Sequence, residues 1–178
     1  MDNRIFLIGY RAVGKTTVGR ELASAEGIDF FDTDQIICQK RNSSIAAIVR
    51  EEGWEGFRRL EREVLQEFAG RGGCVVATGG GAILHRDIWD MLKSRSLIVW
   101  LSASAEVLVS RFRQDAGSGE NRPSLTGEGA CVELFEVLRQ REPLYRATAH
   151  MEIDAGLLDV PEIVRRIQQE YARVKRRG

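Results

Sequence analysis

The sequence predicts an α/β fold in which a five-stranded parallel sheet is sandwiched by helices. Five short apolar runs alternate with helical patterns, which is typical of parallel strands joined by crossover helices. The runs are almost continuous in Val, Ile and Leu, as expected of strands buried on both faces. The 178 residues contain no internal repeat and no long low-complexity linker, so we expect one domain spanning residues 1–178.

The order of the elements follows from these patterns. The predicted strands are Arg4–Gly9, Ile28–Asp32, Cys74–Thr78, Leu97–Ser102 and His150–Asp154. The predicted helices are Thr16–Glu26, Asp34–Gln39, Ile45–Glu52, Trp54–Ala69, Arg86–Ser94, Ala105–Gln114, Val132–Arg146 and Pro161–Val174. Pro161 suits a first helical turn, whereas Pro143 is expected to interrupt the helix that contains it.

Composition excludes several classes of protein. The formal net charge is zero, so no global field favours nucleic acid or an anionic membrane. Three cysteines without CxxC spacing argue against a disulfide framework or a zinc site and favour a reducing, cytoplasmic setting. No segment approaches the ~20 apolar residues of a membrane span, and no signal peptide is visible. We expect a monomer, and we interpret His85 and His150 as ordinary surface or helix-end residues.

A glycine-rich loop between the first strand and the first helix carries the strongest chemical signal. Residues Gly9 to Thr16 match G-x-x-x-x-G-K-[ST], whose backbone N–H groups and following helix N-terminus cradle phosphates. Lys15 can reach the β- and γ-phosphates, and the Thr16 hydroxyl can bind Mg²⁺. The loop predicts a nucleoside triphosphate but not the use made of its phosphate.

Two carboxylates follow the second predicted strand. Asp32 and Asp34 are two apart, so in an extended chain they point to the same side. One can hold Mg²⁺, directly or through water, and the other can accept the proton of a substrate hydroxyl. The alternative is that one of them is simply a helix N-cap.

Three glycines end the third predicted strand. Gly79, Gly80 and Gly81 allow close approach of a ligand and donation from backbone N–H groups, although a flexible loop is the alternative. Ligands of open α/β sheets bind beyond the carboxyl ends of the strands. We therefore expect the first three strand ends to converge on one crevice.

Arginines supply candidate anion contacts. Arg58 and Glu61 lie three apart on one helix face, either as a weak surface ion pair or with Glu61 orienting Arg58 toward a ligand carboxylate. The polar segment at about 114–127 predicts a mobile lid, from which Arg122 can reach the transferring phosphate; a plain solvated loop is the alternative. The kink expected at Pro143 can aim Arg141 into a cleft.

Together these motifs resemble the shikimate kinase family over nearly the whole chain. The resemblance rests on six motifs in order: the glycine-rich loop at 9–19, Phe-Phe-Asp-Thr-Asp at 30–34, Gly-Phe-Arg-x-x-Glu at 56–61, Ala-Thr-Gly-Gly-Gly at 77–81, Asn-Arg-Pro-x-Leu-Thr-Gly at 121–127 and Arg-x-Pro-Leu-Tyr-Arg at 141–146. It implies a three-layer fold like that of the P-loop nucleoside monophosphate kinases. It also implies phosphorylation of the 3-hydroxyl of shikimate by ATP, a step toward chorismate and the aromatic amino acids.

The resemblance assigns a role to each matching residue, with a substrate-binding region at about 33–61. The ATP phosphates would be held by Ala12, Val13, Gly14, Lys15, Thr16 and Thr17. Mg²⁺ would be bound by Thr16 and, through water, by Asp32, while Arg111 would lie over the adenine and Arg122 would close onto the phosphates. Shikimate would be bound by Asp34, Arg58, Gly79, Gly80, Gly81 and Arg141, with Asp34 as base or orienter of the attacking oxygen and Gly80 as the main backbone contact.

The chain departs from the family pattern in three places. Ala12-Val13 replaces the small pairs common before Gly14, Ser124 stands where many members have Leu, and Gly117–Gly119 lengthens the predicted lid. Val13 is the bulkiest change and is expected to alter the loop geometry or nucleotide affinity. Arg139 competes with Arg141 for the carboxylate contact, although the Pro-Leu-Tyr register favours Arg141.

Two other functions remain possible at this stage. A gluconate or nucleoside monophosphate kinase would share the phosphate loop and an arginine lid, but would not explain the triple glycine together with Asp32, Asp34 and Arg58. A regulatory nucleotide switch would bind without phosphorylating a metabolite, yet Lys15, Asp34 and Arg122 are all present. No guanine-reading Asn/Thr-Lys-x-Asp motif accompanies the four lysines.

Overall fold

A five-stranded, wholly parallel sheet forms the centre of the molecule, as the sequence predicts. The computed structural model describes residues 3–115 and 130–176. The strands are β1 (Arg4–Ile8), β2 (Asp29–Asp32), β3 (Cys74–Ala77), β4 (Ser96–Ser102) and β5 (Met151–Asp154). They lie in the order β2-β3-β1-β4-β5, so the first three strands are neighbours. Each predicted strand is correct to within one residue at either end.

Helices cover both faces of this sheet. They are α1 (Lys15–Glu26), α2 (Thr33–Arg41), α3 (Ile45–Glu67), α4 (Arg86–Lys93), α5 (Ala105–Asp115), α6 (Ala130–Thr148) and α7 (Val160–Lys175), with short 3₁₀ turns at Phe68–Gly70 and Ala82–Leu84 that the sequence did not predict. Alternation along β1 divides the core. Ile5 and Leu7 pack on the face that contains Leu22 and Ile167, whereas Phe6 packs on the opposite face. Among the described helices, none is both long and apolar enough to cross a membrane.

Two predicted breaks in helices have different outcomes. The predicted helices 45–52 and 54–69 become one element, α3, but Gly53 (φ 71°, ψ 176°) leaves the helical region, so the axis does break where the two were separated. The break predicted at Pro143 is wrong, because α6 runs through it from Ala130 to Thr148. Buried residues on both sides of the proline hold α6 to the core: Val137 packs in the cluster on one face of the sheet, and Tyr145 packs in the cluster on the other.

Candidate active site

The phosphate loop joins β1 to α1 through residues in the left-handed region. Gly9 (φ 143°) and Gly14 (φ 102°) need glycine, and a Cβ on Gly9 would lie 2.3 Å from the Leu101 carbonyl oxygen. Gly14 is the N-cap of α1 and has no side chain to occupy the first N–H groups of the helix. These donors and the positive helix end form an anion site.

Lys15 and Thr16 are the first two residues of α1, and their side chains contact different partners. The Lys15 ammonium is buried and donates to the carbonyls of Gly9 (2.8 Å) and Tyr10 (2.7 Å), which places it against the inner wall of the loop. The Thr16 hydroxyl donates to Asp32 Oδ2 at 2.7 Å. Thr17, the next residue, is exposed on the first turn.

Asp32 serves two elements at once. Its Oδ1 accepts from the backbone N–H groups of Asp34 (3.0 Å) and Gln35 (3.3 Å) and so caps α2, while its Oδ2 accepts from Thr16. The alternative that one of the two carboxylates is a helix N-cap is therefore confirmed for Asp32, which also contacts the phosphate loop. Asp34 lies in the first turn of α2 rather than on an extended chain, so the prediction that the two carboxylates point to the same side was wrong, and they contact different elements.

The oxygens of Thr16 and Asp32 are suited to a hard divalent cation. Hydroxyl and carboxylate oxygens are the donors that Mg²⁺ prefers, and the ion usually keeps several waters and phosphate oxygens as further ligands. Across residues 3–115 and 130–176 no cluster of three or more His, Cys, Asp or Glu side chains forms a metal site. The donor set fits a cation that takes most of its ligands from a bound nucleotide and water.

The two unusual residues of the loop, Ala12 and Val13, have different surroundings and backbone conformations. Val13 is buried in the core beneath the loop, so its extra bulk adds apolar packing there. Ala12 carries the strain instead, because its φ of 61° is one that a residue with a Cβ adopts at a cost. Arg111 donates to the carbonyls of Val13 (3.1 Å) and Ala155 (2.7 Å) and ties the loop to the end of β5.

A pocket beside the phosphate loop brings together all the residues predicted to bind the acceptor. It is lined by residues that follow β1, β2 and β3 together with side chains of α3 and α6: Tyr10, Arg11, Asp34, Ile45, Trp54, Phe57, Arg58, Glu61, Gly79, Gly80, Gly81 and Arg141. The first three strand ends do converge on one crevice. Three arginines and two carboxylates line it, so one formal positive charge is left over for an anionic ligand.

Arg58 is held in place on several sides. Its Nη1 donates to Glu61 Oε2 at 2.6 Å, and Glu61 is fully buried, so this is not a weak surface ion pair. The rings of Trp54 and Phe57 lie 5.4 and 5.5 Å from the guanidinium carbon, within the range of cation–π contact. A Cβ on Gly81 would lie 1.9 Å from Arg58 Nη1, which shows that the guanidinium packs directly on the glycine.

Arg141 approaches the pocket from α6. It is buried, and its Nη1 donates to the Gly80 carbonyl (3.1 Å), which also accepts from the Tyr145 hydroxyl (2.6 Å). Burial lowers the pKa of the Arg141 guanidinium, and the nearby Arg58 cation lowers it further. Two cations held close together out of water favour a bound carboxylate.

The remaining glycines admit close neighbours in the same way. A Cβ on Gly79 would lie 2.6 Å from both Asp34 Oδ1 and Glu61 Oε1, and one on Gly80 would lie 3.3 Å from the Arg11 backbone nitrogen. The Gly79 N–H donates to the Thr33 hydroxyl at 2.9 Å, which ties β3 to α2. The glycine run thus forms a close-packed wall of the pocket.

Several pocket residues escaped the sequence reasoning. Arg11 and Tyr10 occupy variable positions of the phosphate-loop motif, and only their place directly after β1 could have indicated them. The interpretation of His85 was incomplete: it precedes α4, but its side chain is only 10% exposed and its Nε2 lies within hydrogen-bond distance of Glu61 Oε2 (3.2 Å). Sequence spacing gives no signal for that contact.

Some predicted residues are not brought to this pocket. Arg139, the competitor of Arg141, is exposed on α6 and does not line the pocket. Lys15, Thr16, Asp32 and Arg111 belong to the phosphate-loop side. Arg122 and most of the predicted lid at about 114–127 lie outside the described residues.

The chain is similar to known proteins along almost its full length. The family model described as shikimate kinase matches residues 11–172. "Shikimate kinase 2" of Syntrophotalea carbinolica is 44% identical over 92% of this chain and 93% of its own length. The protein of the same name from Yersinia enterocolitica is 44% identical over 87% of this chain and 88% of its own length.

A solved structure agrees with these sequence matches. It is that of shikimate kinase from Acinetobacter baumannii in complex with shikimate. The two chains are 37% identical with a TM-score of 0.88, and the match covers 97% of this chain and 94% of that one.

Proposed function

The chain belongs to the shikimate kinase family, and we propose that it transfers the γ-phosphoryl group of ATP to the 3-hydroxyl of shikimate, using its own phosphate loop and acceptor pocket. The observation that carries this proposal is the pocket of Arg58, Arg141, Asp34 and three glycines directly beside the loop. Shikimate is a small carboxylate that bears hydroxyl groups. The surplus positive charge of the pocket suits the carboxylate, and Asp34 suits the hydroxyls.

In this proposal Arg58 and Arg141 bind the shikimate carboxylate from two sides, with the Gly80 backbone as a further contact. Support comes from the contacts that hold both guanidinium groups before any ligand arrives: Arg58 on Glu61 and Gly81, Arg141 on the Gly80 carbonyl. Fixed donors lose little entropy on binding and orient the acceptor ring. Gly79 and Gly81 let the ring lie close to the wall.

Asp34 is the proposed base or orienter of the attacking oxygen. The 3-hydroxyl oxygen forms a bond to the γ-phosphorus while the bond to the β–γ bridging oxygen breaks, and ADP leaves with that electron pair. The hydroxyl proton passes to the Asp34 carboxylate. The transition state needs alignment and positive charge more than covalent help. The buried position of Asp34 at the pocket wall supports its role in this alignment.

The phosphate loop would bind the donor. Backbone groups of Ala12 to Thr17 and the Lys15 ammonium contact the phosphates, and Arg111 lies toward the adenine in this proposal. Thr16 and, through water, Asp32 would hold Mg²⁺, which when bound neutralises charge on the phosphate oxygens. Arg122 would add positive charge from the predicted lid.

The other functions raised by the sequence do not fit this family. Family membership excludes the gluconate-kinase and nucleotide-switch alternatives as the main function. A cytoplasmic monomer without a nucleic-acid partner remains part of the proposal, supported by zero net charge and the absence of paired cysteine motifs.

The experiment that tests the function is a substrate-dependence assay with an Asp34 variant. The purified protein with ATP and Mg²⁺ should release ADP when shikimate is added, and should not when gluconate or AMP is added. Asp34→Asn keeps the shape of the side chain, so it should fold normally while kcat falls by about 100-fold or more, the range of general base catalysis. Near-normal turnover of the folded variant would remove Asp34 from this role.

A further inference from the structure

His85 connects the end of the glycine wall to the helix that carries Arg58. It lies between the 3₁₀ turn Ala82–Leu84 and α4, and its side chain is almost completely covered. Its Nε2 lies 3.2 Å from Glu61 Oε2. Because a carboxylate only accepts hydrogen bonds, Nε2 must carry the proton and donate it.

The oxygen that His85 contacts also accepts from Arg58. Glu61 Oε2 receives Arg58 Nη1 at 2.6 Å and His85 Nε2 at 3.2 Å, and the Glu61 side chain is fully buried. One donor belongs to the same helix as Glu61, and the other belongs to a different element. Arg58 alone could turn together with Glu61, whereas His85 fixes the carboxylate relative to the glycine wall.

A second contact, between α3 and the first turn of α4 just after His85, is weaker. Arg62 on α3 forms an ion pair with Asp87 on α4, with Nη1 to Oδ1 at 2.9 Å, on the exposed surface. Exposed pairs contribute little, because water screens them and side-chain entropy opposes them. The buried link through His85 is therefore the one that can define the orientation of Arg58.

The direction of Arg58 is tightly constrained by its surroundings. Its guanidinium packs on Gly81 on one side and on the rings of Trp54 and Phe57 on others. A small rotation of Glu61 would pull the guanidinium out of this slot. Hydrogen bonds to charged buried groups are strong enough to hold such an orientation.

We propose that His85 is a positioning residue for the acceptor carboxylate: it holds Glu61, and through Glu61 it holds Arg58 facing the pocket. The inference rests on the proposed function, since it concerns binding of shikimate. His85 itself is not among the residues that line the pocket. Removal of the His85 side chain should therefore weaken the binding of shikimate much more than the binding of ATP.

The test compares donorless and donor-retaining variants by steady-state kinetics. His85→Phe keeps a ring without the donor and His85→Ala removes the side chain; either should raise the KM for shikimate by about three- to tenfold and that for ATP by less than about twofold. His85→Gln, whose amide can donate, should stay within about threefold of the wild type. His150→Gln is the matched control, because His150 is a histidine outside the pocket, and should leave both KM values unchanged.

A double-mutant cycle separates positioning from a general effect on folding. In an Arg58→Ala background the further change His85→Ala should raise the KM for shikimate by less than about twofold, because the group it positions is gone. Thermal unfolding of each variant identifies any that is not folded. Because there are two donorless variants, the test still holds if one of them fails to fold.

The outcomes are distinct. A wild-type protein that does not turn over shikimate would defeat the proposed function itself. Active wild type with unchanged KM in both donorless variants would overturn the role of His85, as would equal rises for shikimate and ATP or full additivity with Arg58→Ala.

Discussion

Two arginines are buried at opposite ends of the same sheet, and they are held in different ways. At the beginning of β1, Arg4 donates to Ser96 Oγ (2.8 Å) and to the carbonyls of Phe68 and Arg71. Beyond the carboxyl ends of the strands, Arg141 donates to the Gly80 carbonyl and faces a pocket that also holds Arg58. Burying a guanidinium costs free energy at both places.

The difference lies in what offsets that cost. The protein surrounds Arg4 with its own oxygens, which join β1, β4 and the turn after α3. Beside Arg141 lies a second cation, Arg58, and the pKa of Arg141 is lowered by burial and by this like charge. A ligand carboxylate would offset this unfavourable arrangement, so burial of a charge indicates structure at one end and function at the other.

The largest expected effect follows from replacing Arg141. Arg141→Met keeps length and apolar packing but removes the charge, so the KM for shikimate should rise by about 30- to 1,000-fold, the range for truncating one partner of a buried charge pair. The free energy of unfolding should stay the same or rise, because the repulsion with Arg58 disappears. Kinetics and thermal unfolding measure the two effects.

The unfolding measurement distinguishes a structural from a functional role for Arg141 more clearly than the kinetic measurement does. A large loss of stability in Arg141→Met would mean that Arg141, like Arg4, is mainly a structural residue. The contrast between the two ends of the sheet would then be wrong.

Replacing Arg4 should give the opposite pattern. Arg4→Met leaves the Ser96 hydroxyl and two carbonyls without this donor in a buried place, and should lower the free energy of unfolding by about 2–4 kcal/mol. Both KM values should remain within about twofold, because Arg4 lies at the end of the sheet opposite to the pocket. Urea titration measures the stability, and a shikimate-specific KM change in the folded variant would contradict the assignment.

Tyr145→Phe gives the smallest expected effect and separates the contributions of Tyr145 and Arg141, which both donate to the Gly80 carbonyl. Burial raises the pKa of Tyr145, so its hydroxyl stays a donor to the Gly80 carbonyl throughout the usual pH range. Removing the hydroxyl leaves Arg141 as a donor to that oxygen, so the KM for shikimate should rise by only about two- to threefold, with a loss of about 1 kcal/mol in stability. A rise as large as that of Arg141→Met would show that the carbonyl, not the guanidinium, controls the pocket.

The sequence predicted the fold and half of the acceptor pocket for the same reason. Strand runs such as Ile5–Ile8 are buried on both faces, and glycines such as Gly9 and Gly81 stand where a Cβ has no room, so each leaves a local signal. Gly53 marked the break in α3 through its positive φ, although a Cβ there would have room.

The rest depends on contacts between distant residues. His85 meets Glu61 across 24 positions, and Tyr145 meets Gly80 across 65, and neither contact has a periodicity that spacing could reveal. Pro143 misled because a strong local preference was overridden by packing of α6 on the core. The expected alternation of Asp32 and Asp34 was wrong because Asp32 both ends β2 and caps α2, so α2 begins at Thr33 and Asp34 lies in its first turn.

The glycine wall also limits how this site could change over evolutionary time. At 79 and 81 a new side chain would enter space already filled by Asp34, Glu61 or Arg58. Substitutions there would therefore abolish activity rather than change the substrate that is accepted. Ile45 of α3 also lines the pocket and belongs to the apolar core, so its size can vary with less effect on the charged groups. A descendant enzyme that accepts a different hydroxy acid would therefore acquire that preference on the α3 side, with the glycines left as they are.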